Sequence, residues 1–317
     1  MTRATKVKKA RRDRAPSPKA QVSLPRGLLL LTALGVIGLI AAGTLLWRSS
    51  GGDENSFSGF PAADPGPVHV HGLGVNPADG ALFVATHTGL YRVNEGERKA
   101  ERVGDRYQDT MGFTIVGPNR FLGSGHPDLN EAREKNLPSL LGLIESTDSG
   151  ESWQPISLLG EADFHVLRFV GERVYGFDAS NDRLLVSTDR GRSWNELERP
   201  GPLVDLAVHP NDAQRIVATT EEGLFESRDG GQRWNRVGEA VGLLAWPTRD
   251  RLYLVAGGGQ VFASRNGGRL LEHRGEIGGQ PAALHAQAGN ELYVALHDGT
   301  IRRSSDGGAS WVVRSRP

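Results

Sequence analysis

The chain has no cysteine, two methionines, and aromatic residues at only 7% of its 317 positions. Without thiols there is no disulfide, no thiolate metal site and no lipid-modified cysteine, so an exported domain must hold itself together by packing alone. Long helical stripes are missing too, and most hydrophobic residues fall in short β-type runs. Net charge is also absent overall, because 37 Lys/Arg balance 37 Asp/Glu. That balance hides an asymmetry. Ten Lys/Arg and a single acid, Asp13, lie before residue 49, leaving 27 basic and 36 acidic residues beyond it, a net of about −9. An acidic folded part argues against nucleic acid as its partner, since binding phosphates requires a basic face. What is abundant is glycine, 42 residues beside 17 prolines, spread among evenly distributed hydrophobic runs. Such a composition fits an all-β protein with many turns and does not fit disorder.

One eight-residue pattern, Ser-x-Asp-x-Gly-x-x-Trp, returns along the chain. It occurs at Ser146–Trp153, Ser187–Trp194, Ser227–Trp234 and Ser304–Trp311, with a worn copy at Ser264–Leu271. The serines are 41, 40, 37 and 40 residues apart. A period near forty residues made of short strands is the spacing of a four-stranded propeller blade. In each octet the aspartate (Asp148, Asp189, Asp229, Asp306) can accept hydrogen bonds from backbone amides of a tight turn, and the glycine supplies positive φ. The tryptophan begins the next strand and can bury its ring between blades. These aspartates are read as structural because they repeat in every such unit.

These octets resemble the Asp-box, or BNR, repeat of sialidases, sortilin-type receptors, photosystem II assembly factors and bacterial proteins named as glycosyl hydrolases. The resemblance implies a β-propeller with the box on the hairpin between the third and fourth strands, away from the ligand face. It says little about function, because propellers host many activities.

Counting back from the first intact octet, Gly89–Val93 aligns with Gly223–Ser227 and exposes one more blade. Six units follow, with inner strands near His71, Phe113, Leu167, Leu206, Leu243 and Leu284. The expectation is an all-β, six-bladed propeller over residues 68–317, its ring closing by apposition of blades one and six. A polar, helix-like insertion, Pro127–Leu140, is a candidate lid.

Ahead of the propeller, residues 1–26 read as a basic cytoplasmic tail. Gly27–Trp47 is 21 residues without a charge, enough to span the roughly 30 Å hydrocarbon core of a bilayer as a helix. The basic flank places the N-terminus in the cytoplasm and the propeller outside, as a single-pass membrane protein. A cleaved signal peptide ending near Ala41-Ala42-Gly43 is the rival reading, but the apolar core exceeds the usual 7–15 residues. Residues 48–67 form a Gly/Ser/Pro/Asp-rich linker.

Candidate chemistry lies at one mouth of the ring. Aligning the inner strands puts His71, Met111 and His165 at one position, with His69, Asp109 and Asp163 two residues earlier. Aligning the second strands puts His87, His126 and His297 at their common exit. The expected metal set is His71, His87, Met111, His126, His165 and His297, suited to copper through imidazole and thioether or to another divalent ion through imidazole and carboxylate. His209, His273 and His285 read as structural. The sequence therefore predicts a ligand-binding or assembly module engaging a metal, a glycan or an envelope protein. A sialidase-like exo-glycosidase is the alternative, and it needs two carboxyls flanking one bond, from among Asp109, Asp163, Asp128 and Glu131. The Arg-Ile-Pro motif expected from the sialidase resemblance is missing.

Overall fold

A computed structural model describes residues 66–317. The basic tail, the apolar run, nearly all of the linker and a possible contribution of Phe57–Phe60 to the last blade lie outside the described residues. Among those described, no helix is long and apolar enough to cross a membrane.

The described residues form six four-stranded antiparallel sheets, each built from consecutive strands. Blade one holds β1 (Val70–Val75), β2 (Leu82–Thr86), β3 (Gly89–Val93) and β4 (Glu101–Arg102). Blade two holds β5 (Asp109–Gly117), β6 (Arg120–His126), β7 (Leu143–Ser146) and β8 (Gln154–Ser157), with helix α1 (Leu129–Lys135) inserted between β6 and β7. Blade three holds β9 (Phe164–Val170), β10 (Arg173–Asp178), β11 (Arg183–Ser187) and β12 (Asn195–Leu197). Blade four holds β13 (Leu203–His209), β14 (Asp212–Thr220), β15 (Gly223–Ser227) and β16 (Asn235–Gly238). Blade five holds β17 (Gly242–Thr248), β18 (Arg251–Ala256), β19 (Gln260–Ser264) and β20 (Glu272–Glu276). Blade six holds β21 (Pro281–Gln287), β22 (Glu291–Leu296), β23 (Ile301–Ser304) and β24 (Val312–Ser315).

The inner strands pack in sequence order, and β21 returns to β1. Closure is by apposition, as expected, with a seam that the sequence did not announce. Arg314 donates to the carbonyls of Val93, Asn94 and Glu97, and Ser315 Oγ donates to Arg98 O at 2.7 Å. The core lies between blades rather than within them, because each sheet is apolar on both faces. Leu73, Val84 and Tyr91 of blade one meet Ala283, Tyr293 and Ala295 of blade six, and Phe83 stacks edge-on to Phe121 of blade two at 4.7 Å.

The octets act as turn clamps. In Ser187–Trp194, Ser187 Oγ accepts from Gly191 N (2.7 Å) and donates to Asp189 Oδ1 (2.7 Å). Asp189 Oδ1 accepts in turn from the amides of Arg192 and Ser193. Gly191 has φ +89°, and a Cβ there would lie 2.1 Å from Leu143 Cδ2 of the preceding blade. One glycine thus satisfies a left-handed turn and a close inter-blade contact. The indole of Trp194 stacks on Phe164 at 4.9 Å and donates to Ser157 Oγ across the same interface. The worn copy keeps its clamp, since Asn266 Oδ1 accepts from Leu270 N just as the aspartates do. Only the indole is lost there.

Candidate functional site

In a four-stranded meander, the start of strand one and the end of strand two lie on the same face, and that is where the histidines gather. β1 carries His71, the end of β2 delivers His87 one residue beyond Thr86, and β5 opens on Asp109. Blades one and two come close because Gly72 has no side chain, a Cβ there falling 2.9 Å from Phe113 Cβ. Gly125, at φ +132°, likewise lets β6 pass Asp109, where a Cβ would sit 2.1 Å from the Asp109 carbonyl oxygen.

Ligand atoms of His71, His87 and Asp109 lie within 4.8 Å of one another, the group of this kind found among the described residues. His87 Nδ1 is 2.9 Å from Asp109 Oδ2, a hydrogen bond, whereas His71 Nε2 is 3.7 Å from Asp109 Oδ1 and too far for one. Both His71 Nε2 and Asp109 Oδ1 are buried without a hydrogen-bond partner. Burial of this kind normally leaves few polar atoms unpaired, so two of them facing each other call for an explanation.

The electrostatics separate the two imidazoles. Burial pushes His71 down to about 4, helped by the neighbouring His87, His165 and His69 against the opposing pull of Asp109. His71 is therefore neutral at pH 7, the form that ligates a metal. The hydrogen bond to Asp109 raises His87 above its ordinary value despite partial burial. On the neighbouring blade six, burial also lowers His285 to about 4. Both lowered groups refuse a proton that the unfolded chain accepts from about pH 6.5 downward. Stability should therefore fall as pH drops from about 6.5 to 4 and level off below, by a few kcal/mol per group. His87 works in the opposite direction, adding stability below about 6.5 that is lost as pH rises through its own value. Chemical denaturation across this range should show the net loss, and His285→Gln should flatten the slope.

A second cluster sits beside the first. His165 Nε2 is 2.9 Å and His126 Nε2 3.6 Å from Asp163 Oδ2, with Asp163 buried. His126 Nδ1 meets the carbonyl of Ser139 at 2.9 Å. The six expected metal residues thus divide. His71 and His87 meet at Asp109, and His126 and His165 meet at Asp163. Met111 is half-buried on β5, and His297 is exposed past the end of β22. In blades one and two the histidine leaving strand two reaches a carboxylate at the start of the next blade. At the corresponding position after His297 stands His69, also exposed, so His297 does not enter the triad.

Of the four weighed carboxyls, two have other employment. Asp128 caps α1, accepting from Asn130 N and Glu131 N, and its second oxygen accepts from Tyr107 N. Glu131 pairs with Arg106 (3.0 Å) and Lys135 (2.8 Å). Asp109 and Asp163 remain, each engaged with imidazole.

Comparison with known proteins gives three further findings. Residues 142–267 match the family model described as Sortilin, neurotensin receptor 3. A Paenibacillus xyloglucanase is 25% identical over 244 residues, which is 62% of this chain but only 20% of that protein. The chain thus spans about a fifth of the length of its curated relative. Among solved structures, a chain of a nidogen/laminin complex superposes with a TM-score of 0.56 at 13% identity, covering 75% of this chain and 93% of the other. YCF48 bound to a D1 peptide gives a TM-score of 0.49 at 17% identity, covering 78% of this chain and 82% of the other. The family-model match covers three of the intact octets, whose clamp geometry repeats from blade to blade.

The described residues form a β-propeller of the BNR, or Asp-box, type.

Within this Asp-box propeller the box aspartates are structural, each accepting from its own turn. One tyrosine hydroxyl does meet a carboxylate, Tyr293 Oη donating to Glu291 at 2.9 Å. Burial and the adjacent carboxylate push this phenol up to about 12, the opposite of an activated nucleophile. The pair also sits at the start of β22, on the face away from the histidines. The insertion Pro127–Leu140 presents the Ser139 carbonyl to His126. Sequence reasoning missed this carbonyl and missed Asp178, which accepts from Asp163 N at 3.1 Å and holds that strand start in place. Neither carries a sequence signal beyond an ordinary polar residue.

Proposed function

We propose that this chain is a membrane-anchored, extracytoplasmic binding module whose propeller mouth holds a divalent metal ion through His71, His87 and Asp109. One observation carries the reading: three ligand atoms from two blades converge within 4.8 Å, two of them buried and unpartnered. A tetrahedral ion with bonds of about 2.0–2.1 Å holds its ligand atoms about 3.3 Å apart, close to the 3.7 Å between His71 and Asp109. Two imidazoles and a carboxylate suit zinc, and Met111 on the same β5 extends the choice to copper. Three protein ligands leave a fourth position toward the mouth for water or a donor from a partner. The anchor is supported by the uncharged run Gly27–Trp47 and its basic flank.

The test is calorimetric titration of the full chain in detergent, stripped by chelator, with zinc and with copper(II). Saturable binding that disappears in the His71→Ala/His87→Ala variant is expected. Equal, negligible heats in both proteins would remove the reading.

A glycosidase reading draws on the xyloglucanase relative and on the two mouth carboxylates, Asp109 and Asp163. It requires hydrolysis of chromogenic glycosides that Asp163→Asn abolishes. The chain spans only a fifth of that relative, so the binding module is the better-supported function.

A further inference from the structure

The second cluster contains a feature that its hydrogen bonds do not explain. A carbonyl oxygen can only accept, so the ring nitrogen of His126 facing Ser139 O at 2.9 Å, Nδ1, carries the hydrogen. In the neutral imidazole this leaves Nε2 with a bare lone pair. That lone pair faces the Asp163 carboxylate at 3.6 Å, too long for a hydrogen bond even if the ring were charged. The oxygen it faces is Oδ2, which accepts from His165, while Oδ1 of the same carboxylate is buried and without a partner. Two acceptors turned toward each other with nothing between them repel. A cation between them turns that repulsion into attraction.

The surroundings suit an ion. A backbone carbonyl on the far nitrogen is the usual means of fixing a metal-binding histidine in the right tautomer. The 3.6 Å separation is close to the roughly 3.3 Å edge of a tetrahedron with bonds of about 2.0–2.1 Å. His165 holds Asp163 Oδ2 by a 2.9 Å hydrogen bond and so orients the carboxylate. Phe164 N, next in the chain, is tied to Ser124 Oγ of blade two at 2.9 Å, which fixes blade three against the strand that carries His126.

The two clusters are also adjacent. Asp109 of the first and His126 of the second are direct cross-strand partners in the β5–β6 ladder, and such partners have Cα atoms about 4.5–5.5 Å apart.

We infer that the mouth holds two cations side by side: one at His71, His87 and Asp109, and a second between His126 Nε2 and the Asp163 carboxylate, with His165 as its positioning residue. This rests on the metal-binding reading above. The second ion has fewer protein ligands and the first ion as its neighbour, so it binds after the first and more weakly. Together the pair presents open positions on one rim, suited to an oxyanion or carboxylate that bridges them.

The experiment is equilibrium dialysis of the chelator-stripped full chain against zinc, with bound metal counted by elemental analysis. Wild type should saturate at two zinc ions per chain in two steps. His126→Ala and, separately, Asp163→Asn should saturate at one, retaining the tighter step. His126 is half-exposed, so its truncation should leave the thermal unfolding of the protein unchanged, and that is checked alongside. The His71→Ala/His87→Ala variant should keep only the weaker step. One zinc in wild type, undiminished by His126→Ala and Asp163→Asn, overturns the second site and leaves the first standing. No zinc in any variant overturns both.

Discussion

The Asp109→Asn variant should bind its first metal ion more than about 100-fold more weakly than wild type, while folding normally. Replacing groups that merely orient a metal ligand typically costs about 10–100-fold, so removing a charged ligand should cost more. Asparagine keeps the shape but supplies no charge to offset the ion. Folding is spared because the backbone pairing of Asp109 with His126 does not use the side chain. The same change has a second signature. His87 is raised chiefly by its hydrogen bond to Asp109, so in the variant it should titrate lower, nearer its ordinary value, and NMR of the imidazole protons would follow this directly. Unchanged zinc affinity together with an unchanged His87 titration would detach Asp109 from the site.

The largest stability loss should come from Asp205→Ala, at about 3–5 kcal/mol, the usual cost of breaking a buried ion pair by removing one partner. Asp205 is buried at the inner wall and ties three blades together. Its Oδ1 accepts from Arg168 of blade three at 2.5 Å and from Leu206 N at 2.7 Å, and its Oδ2 accepts from Leu244 N of blade five at 2.7 Å. Burial raises this carboxyl although Arg168 and the two amides pull it down, which shows how much of the interaction is spent on desolvation. Truncation leaves a guanidinium and two amides to find other partners in a confined space. Asp205→Asn keeps an acceptor and should lose less. Denaturant unfolding of the three proteins would measure both differences. A loss below about 1 kcal/mol for the alanine variant would mean that the wall relaxes or lets water in.

The propeller was legible in the sequence because the octet is a local device. Ser187, Asp189 and Gly191 make their turn bonds within four residues, so spacing alone reveals them. Blade one could be found without an octet because Gly89–Val93 keeps the third-strand pattern, and β3 lies there. The site was only half legible. Period-two alignment assigned the histidines and aspartates to one rim because strand ends follow the blade repeat, and His71, His87 and Asp109 do come together. It could not say which histidine reaches which carboxylate. That choice depends on positive-φ Gly125, on the close approach at Gly72 and on the Ser139 carbonyl, all set by tertiary packing. His297 obeys the repeat and still stays out of the triad, because the seam puts His69 where the other blades offer an aspartate. Asp128 and Glu131 looked equivalent to Asp109 by residue type, and only the helix they cap and brace separates them.

The central claim is that residues 71, 87 and 109, from two blades, bind one ion together. X-ray absorption spectroscopy of the full-length His126→Ala variant loaded with a single equivalent of zinc tests this most directly. Two imidazole nitrogens and carboxylate oxygen at about 2.0–2.1 Å, with the outer-shell pattern of two histidine rings, are the predicted result. A shell made of oxygen alone, without imidazole scattering, would contradict it.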